Sequence, residues 1–311
     1  MKRSLSIVLL SLLASFLLWG EPGVSVLPEV GQGEVLRVLV WDSSPLTVSG
    51  TLSLEGRRAA RGEGFSVETG EDGLYCRLIL LAVASTQSPG NAVLTLNGRS
   101  GEVPFSRDLG IRILEREFIH EDIPLSTAMS DLRQSDDPEK ARQSQALSDL
   151  LLTVNPEHVF HQGAFRYPME GSPKRTSFYG DRRRFLYTDG KEAGSVHFGI
   201  DFSGNPGTPV YSDGAGLVVF SGFRILTGNT VVVEHLPGVY SLYYHMTRRD
   251  LAEGDRVETG TPVGTVGSTG LVTGAHLHWE IRVNGVPVAP DPLVSAGLLD
   301  KEQILGIVKG R

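Results

Sequence analysis

Short apolar and polar runs alternate along the first third of the chain, and glycines separate them. The runs with the period of two that is typical of half-buried β-strands are residues 35–40, 46–54, 78–84 and 92–96. Asn97-Gly98 has the composition of a two-residue hairpin turn. We therefore predict that residues 21–116 form a β-sandwich-like domain.

A helical pattern follows the predicted sandwich. Asp137 is suited to cap the helix, and Pro138 suits the first helical position, where a missing backbone N–H is tolerated. The apolar residues that recur at spacings of three and four are Leu147, Leu150, Leu151 and Val154. Residues 117–159 are therefore predicted to be a helical connector whose apolar face packs on one or both flanking domains.

Strand-like runs separated by glycine turns return in the second half of the chain. They are residues 210–211, 216–221, 230–235, 239–245, 262–266 and 276–283. We predict a second mainly β domain over residues 160–298, followed by a tail at 299–311. The fold class is therefore mainly β throughout, with one connector helix.

The first twenty residues have the pattern of a targeting segment. Lys2 and Arg3 precede an apolar run, as in a secretory signal peptide or an amino-terminal anchor. We expect residues 1–20 to direct export to the cell envelope, in the periplasm or at the extracytoplasmic face. If the segment is not cleaved, it would anchor the protein to the membrane.

Composition narrows the possible functions. Hydrophobic residues make up 40% and charged residues 21% of the 311 residues, which excludes a disordered chain and a multi-pass membrane protein. The net charge of −7 argues against binding nucleic acid, which needs clustered cations. Cys76 is the single cysteine, so any metal site must rely on histidines and carboxylates.

Two motifs concentrate candidate metal ligands in the second domain. If residues 197–201 form a strand, His197 and Asp201 share one face, and Gly199 between them leaves room for an ion. His276 and His278 share a face of another predicted strand for the same reason, and so do Tyr243 and His245 on the strand predicted at residues 239–245. Histidines elsewhere are less suggestive of metal binding: His158 and His161 are expected at the surface, and His235 is expected either to pack or to be solvated.

A catalytic zinc site explains these motifs. Such a site has three protein ligands and an open position, and it uses imidazole nitrogen and carboxylate oxygen. His197, Asp201 and either His276 or His278 would supply the three ligands. The other member of that pair and His245 would then act as general base and acid, or hydrogen-bond a developing oxyanion.

The order of several motifs matches one enzyme family. The matching elements are H-x-G-x-D at 197–201, G-T-P-V at 207–210, a tyrosine–histidine motif at 243–245, G-x-T-G at 267–270 and H-L-H-[FW]-E at 276–280. Over residues 165–295 the sequence resembles the catalytic domain of lysostaphin-type, LytM-like zinc endopeptidases.

This resemblance implies a fold, an activity and a set of site residues. The fold would be an antiparallel β-sheet with a groove, and the enzyme would hydrolyse peptide cross-links or stem peptides of bacterial peptidoglycan by metal-activated water attack. His197, Asp201 and His278 would bind Zn²⁺, and His245 and His276 would be the catalytic histidines. The candidates for substrate binding in the groove are Tyr243, Arg182 and Tyr187.

An alternative is an inactive envelope protein that activates or scaffolds other cell-wall hydrolases. Such relatives usually lack a metal-site residue, whereas all five positions are present here. A carboxylate kept beside histidines without a metal would also carry a desolvation cost. We therefore favour an active hydrolase whose partners are peptidoglycan peptides, with no nucleic acid and with membrane contact only through residues 1–20.

Overall fold

The structure is a computed structural model that describes residues 21–310. The predicted signal or anchor segment, residues 1–20, lies outside the described residues. Strands make up 48% and helices 13% of the described residues, which confirms the mainly β class. Within residues 21–310, no helix is both long enough and apolar enough to cross a membrane.

Nine strands build the amino-terminal part. They are β1 (Gly23–Val26), β2 (Glu29–Gly31), β3 (Val35–Asp42), β4 (Leu46–Leu54), β5 (Arg57–Glu63), β6 (Phe65–Val67), β7 (Tyr75–Ala82), β8 (Gly90–Ser100) and β9 (Val103–Leu114). One sheet has the order β1-β3-β7-β6, and the other has the order β2-β9-β8-β4-β5. The predicted β-sandwich is therefore confirmed.

The sheet that contains β3 and β7 is buried on both faces. On β3, Val38 and Val40 belong to the core between the two sheets, whereas Leu39 and Trp41 belong to a core shared with the second domain. This double burial explains why both strands are nearly continuous apolar runs. Cys76 is buried on the face toward the second domain.

The predicted turn at Asn97-Gly98 is wrong, because both residues lie inside β8. Strand β8 continues to Ser100, which pairs with Val103, so the chain reverses at Gly101 and Glu102. A Cβ atom at position 98 would collide with the carbonyl oxygen of Thr47. The glycine therefore serves the close approach of neighbouring strands instead of a turn.

The connector contains a strand as well as helices. Its elements are β10 (His120–Pro124), α1 (Thr127–Gln134) and α2 (Pro138–Leu151). Helix α2 begins as predicted, because the Asp137 side chain accepts a hydrogen bond from the Glu139 N–H at 2.9 Å. Leu151 is buried against the second domain, whereas Val154 lies beyond the helix and is 44% exposed.

The second domain holds the remaining strands and two helices. They are β11 (Arg175–Ser177), β12 (Arg182–Leu186), β13 (Glu192–Val196), β14 (Ile200–Ser203), β15 (Pro209–Tyr211), β16 (Gly216–Arg224), β17 (Gly228–Leu236), β18 (Val239–Met246), β19 (Arg248–Arg249), β20 (Arg256–Val257), β21 (Pro262–Thr265), β22 (His276–Val283), β23 (Val286–Val288), α3 (Pro290–Ala296) and α4 (Lys301–Val308). The predicted tail is wrong, since α4 packs Ile304 into the shared core.

An eight-stranded antiparallel sheet forms the centre of the second domain. Its order is β11-β14-β22-β18-β17-β16-β20, and β23 pairs with β22. A smaller sheet has the order β10-β12-β13, in which connector strand β10 runs parallel to β12. The connector is therefore part of a sheet of the second domain, which its sequence did not predict.

Buried polar side chains fasten β18 and β22 from the core side. Asp213 is fully buried and accepts hydrogen bonds from Tyr243 Oη at 2.6 Å and Trp279 Nε1 at 2.9 Å. Ser241 Oγ donates a further hydrogen bond to this carboxylate. Because Tyr243 belongs to β18 and Trp279 to β22, one carboxylate holds both strands in place.

His161 is buried, so the expectation of a surface residue is wrong. The side chain accepts a hydrogen bond at Nδ1 from the Ala215 N–H at 3.2 Å, and Nε2 has no partner among the described residues. Burial, together with the nearby His235, lowers the pKa of His161 to about 4. The folded protein therefore holds a neutral imidazole at this position.

We predict that His161 makes the fold sensitive to acid. The unfolded chain binds a proton near pH 6.5 that the folded chain rejects until about pH 4, so stability falls as the pH is lowered through that window. Between about pH 7 and pH 5 the loss from this residue should be about 2 kcal/mol. His161→Gln should reduce the pH dependence measured by urea unfolding. An unchanged dependence, equal to that of the exposed control His120→Gln, would contradict this account.

Candidate metal and catalytic site

The three side chains predicted as metal ligands meet at one point. Asp201 on β14 and His278 on β22 are cross-strand partners, and His197 lies in the loop before β14. His197 Nε2 is 3.0 Å from Asp201 Oδ1 and 2.9 Å from His278 Nδ1. Asp201 Oδ1 and His278 Nδ1 are 2.7 Å apart. All three residues are buried, so their donor atoms converge inside the protein.

His197 reaches this point from a loop, so the condition that residues 197–201 form a single strand is not met. Strand β13 ends at Val196 and β14 begins at Ile200. A Cβ atom at Gly199 would collide with the Trp279 carbonyl oxygen. The glycine therefore makes room for the backbone of β22, and not for an ion.

Hydrogen bonds fix the orientation of both imidazoles. His197 Nδ1 is 2.8 Å from the Phe178 carbonyl oxygen, and His278 Nε2 is 2.9 Å from Glu280 Oε1. Both partners are acceptors, so these two nitrogens carry protons. In the neutral rings, the opposite nitrogens then present lone pairs toward Asp201 Oδ1. Such pairing of the outer nitrogen with an acceptor is the usual arrangement around metal-binding histidines.

A cation fits this donor set. Two imidazole lone pairs and a carboxylate oxygen repel one another unless a positive charge lies between them, and zinc prefers these donors. Burial opposes protonation of His278, but Asp201 and Glu280 outweigh it and raise the pKa of His278 to about 9, so the surrounding carboxylates favour a positive charge at this point. A metal ion would therefore have to displace a proton from His278.

Two arginines form ion pairs with the carboxylates of the site. Arg183 Nη2 donates to Asp201 Oδ2 at 2.9 Å, which leaves Oδ1 facing the two histidines. Glu280 Oε2 accepts from Arg282 Nε at 2.7 Å. Burial opposes ionisation of Glu280, but Arg282 and His278 outweigh it and lower the pKa of Glu280 to about 2.

Sequence reasoning assigned no role to Arg183 or to Glu280. Glu280 continues the alternation of His276 and His278 on one face of β22, and that spacing is a signal that could have identified it. Arg183 stands in a run of three arginines on β12, and nothing in the sequence distinguishes it from its neighbours.

The two predicted catalytic histidines lie beside the three ligands. His245 and His276 have ring centroids 4.9 Å apart, and His276 Nε2 is 3.8 Å from Asp201 Oδ1. Each Nδ1 lies 2.8 Å from a backbone carbonyl oxygen, that of Thr269 for His245 and that of Gly274 for His276. Both rings therefore carry the proton on Nδ1 when neutral and leave Nε2 as the acceptor.

A break in strand alternation brings His245 to this site. Tyr244 has its side chain in the cleft, so regular alternation would direct the next residue to the opposite face. His245 instead has a φ of 63°, in the left-handed region, and its side chain also lines the cleft. Burial, with the nearby His276 and His278, lowers the pKa of His245 to about 3, so the ring is neutral at physiological pH.

Tyr243 does not line the cleft, so its predicted substrate-binding role is contradicted. The prediction put Tyr243 and His245 on the same face of their strand. Tyr243 is instead fully buried in the core, where its hydroxyl donates a hydrogen bond to Asp213. The neighbouring Tyr244 lines the cleft instead. Its ring stacks on that of His278, with centroids 5.3 Å apart and planes 8° apart.

The other two predicted substrate contacts also lie outside the cleft. Arg182 Nη2 donates to the Ser85 carbonyl oxygen at 2.6 Å, and its guanidinium lies over the Phe118 ring. Arg182 therefore joins the sandwich to the second domain. Tyr187 Oη accepts a hydrogen bond from Arg133 Nε at 3.0 Å, so it supports a cleft residue without lining the cleft.

The site opens into a cleft of about 450 Å³. Asp201, His245, His276 and His278 line its floor, and the connector supplies part of its wall. The connector residues in that wall are Glu121, Ile123, Met129 and Arg133. The cleft is therefore built by residues both inside and upstream of the metal-binding motifs.

Comparison with known proteins identifies the kind of domain that carries this site. Residues 195–290 match the model of peptidase family M23. The chain is 45% identical over 95 residues to the DD-carboxypeptidase/endopeptidase Mpg of Neisseria meningitidis, which covers 30% of this chain and 22% of that protein. It is 38% identical over 128 residues to the peptidoglycan DD-endopeptidase ShyA of Vibrio cholerae, which covers 41% of this chain and 29% of that protein.

A solved structure shares the fold more extensively. A crystal structure of an M23 peptidase candidate from Pseudomonas aeruginosa superposes with a TM-score of 0.54 at 19% identity. The match covers 82% of this chain and 96% of that chain. At this identity the likeness concerns the fold alone.

The fold and the site thus define a β-sheet domain with a candidate His-Asp-His metal centre. Residues 195–290 are a peptidase family M23 domain of the LytM-like type, as the sequence predicted. The chain spans between about a fifth and three tenths of the length of the two curated relatives described above.

We predict that substitution of a metal ligand and substitution of a catalytic histidine have different effects on metal binding. Asp201→Ala and His278→Ala remove donor atoms and should abolish bound zinc, whereas His245→Ala should retain most of it. Zinc per protein chain, measured by mass spectrometry of the metal after desalting, checks this expectation. Zinc loss in the His245 variant with full retention in the His278 variant would reverse the assignment.

Proposed function

We propose that this protein is a zinc-dependent endopeptidase that hydrolyses peptide cross-links or stem peptides of bacterial peptidoglycan. The observation that carries the proposal is the convergence of His197, Asp201 and His278 at one point, where Asp201 and His278 line a cleft together with His245 and His276. The relative ShyA, a peptidoglycan DD-endopeptidase, supports peptidoglycan as the substrate, and the relative Mpg, a DD-carboxypeptidase/endopeptidase, supports endopeptidase activity.

The chain's own residues provide acid–base chemistry. A zinc ion held by the three ligands would act as a Lewis acid and make a water molecule nucleophilic near neutral pH. The Nδ1 of His245 faces the Thr269 carbonyl oxygen, so its Nε2 is the nitrogen that would accept a proton from that water in the cleft. His276 presents its Nε2 beside Asp201 and is suited to donate a hydrogen bond to the developing oxyanion when protonated.

The cleft fits an extended peptide. It lies beside strands β14, β22 and β18, and Asp201, His278 and Tyr244 from these strands are among the residues that line it. Backbone groups in a groove of this kind can bind a substrate along its length. We propose that the scissile bond lies above the His-Asp-His centre, with the chain continuing toward the connector wall.

We place this activity in the cell envelope. The charged start and apolar run of residues 1–20 support export, with membrane contact only through that segment if it is retained. Peptidoglycan peptides are then the partners of the protein, and the excess of acidic residues disfavours nucleic acid.

The proposed activity predicts a defined product and a defined inactive variant. Purified protein loaded with zinc should release shortened or un-cross-linked muropeptides from peptidoglycan, detected by mass spectrometry. His245→Ala should lower kcat by roughly 10²- to 10⁴-fold, the usual contribution of a general base, and should keep its zinc.

The same experiment tests the alternative of an inactive scaffold. A wild-type protein that binds zinc stoichiometrically but leaves purified peptidoglycan intact would contradict the proposed hydrolase. Stimulation of a second wall hydrolase by that inactive protein would then support the scaffold. Arg142→Gln, a change on the exposed side of α2, provides a control that should cleave like the wild type.

A further inference from the structure

We propose that Arg133 is a specificity-determining residue that binds a free carboxylate of the substrate peptide. This inference rests on the proposed peptidase function and names one chemical group that the cleft would select. Arg133 lies on helix α1 of the connector, upstream of the residues that match the peptidase family. It nevertheless lines the same cleft as Asp201, His245 and His278.

The guanidinium of Arg133 is held in one orientation. Its central carbon lies 4.0 Å from the centre of the Phe185 ring, which is a cation–π contact. Its Nε donates to Tyr187 Oη at 3.0 Å. A guanidinium fixed on one side in this way loses little conformational entropy when a ligand binds on the other side.

Of the two arginines that line the cleft, Arg133 is the one without an acidic partner among the described residues. Arg183, the other arginine lining the cleft, is paired with Asp201 at 2.9 Å and lies 3.9 Å from Glu121. Arg133 makes no ion pair with any described residue, and its two Nη groups make no hydrogen bond within residues 21–310. Two parallel N–H donors remain for a ligand.

A carboxylate is the ligand that fits this arrangement. The fork of an arginine matches the two oxygens of a carboxylate and can bind it through two parallel hydrogen bonds. Peptidoglycan peptides carry free carboxylates on their acidic and carboxy-terminal residues. An ionised carboxylate of the substrate would therefore bind Arg133 on the connector side of the cleft, while the peptide backbone lies across the metal and catalytic residues.

The competing interpretation is purely structural. A cation in the last turn of α1 interacts favourably with the helix dipole, and Arg133 could contribute to stability alone. That role would make an Arg133 variant less stable but would leave the relative rates on charged and uncharged substrates unchanged. Substrate charge therefore distinguishes the two interpretations.

The test compares one substrate in two charge states. A cross-linked muropeptide dimer with its carboxylates intact is compared with the same dimer after carbodiimide-mediated amidation with ammonia. We expect wild-type protein to cleave the intact dimer with roughly 10- to 100-fold higher kcat/KM, mainly through KM, as for a charge-assisted hydrogen bond. Arg133→Gln should lose this preference and cleave the amidated dimer as the wild type does, and Arg133→Lys should keep part of it.

Controls keep the inference separate from the proposed activity. Arg142→Gln should keep the full preference, and thermal unfolding reports whether each variant is folded. Equal kcat/KM of the wild type on both dimers, or an unchanged preference in a folded Arg133→Gln, would overturn the role of Arg133 alone. If neither dimer is cleaved, the proposed hydrolase fails, and calorimetric binding of the two dimers then decides the role of Arg133: equal or undetectable binding would overturn it.

Discussion

The register between β14 and β22 is the constraint on which the site depends. Asp201 and His278 are direct cross-strand partners, so a slip of one residue would turn one of the two to the opposite face of the sheet. Tyr244 on β18 is the partner of His278 on the other side and stacks on its ring. The site is therefore a row of side chains across three strands, and His197 joins it from the preceding loop.

Buried polar groups on the opposite face of the sheet hold β22 beside β18. Asp213 accepts hydrogen bonds from Tyr243 of β18 and Trp279 of β22, whose side chains lie on the core side of the sheet. Removing one partner of such a network leaves a buried carboxylate unsatisfied, which is costly. On β18 and β22, neighbouring residues therefore point to opposite faces: Tyr243 and Trp279 bind Asp213 in the core, and Tyr244 and His278 lie at the cleft.

Much of the site could be predicted from sequence because its residues lie in short strand motifs. The motif spacing brought together His197, Asp201 and the pair His276/His278, and the family resemblance selected His278, which the structure places with the other two. Only the second half of the first motif is a strand, because β14 begins at Ile200. The failures have physical causes. The left-handed backbone at His245 breaks the local alternation, so a prediction from regular alternation places Tyr243 on the same face as His245, which is wrong. The connector strand, Arg133 and Arg183 depend on long-range pairing between segments, which local patterns do not encode.

X-ray absorption at the zinc edge of the full chain loaded with one equivalent of metal tests the central claim most directly. The account predicts a four-coordinate ion with two imidazole nitrogens and oxygen donors at about 2.0–2.2 Å, one of the oxygens from solvent. Asp201→Ala should remove this signature. A zinc ion bound with the same spectrum in that variant, or coordinated by a different set of side chains, would contradict the account.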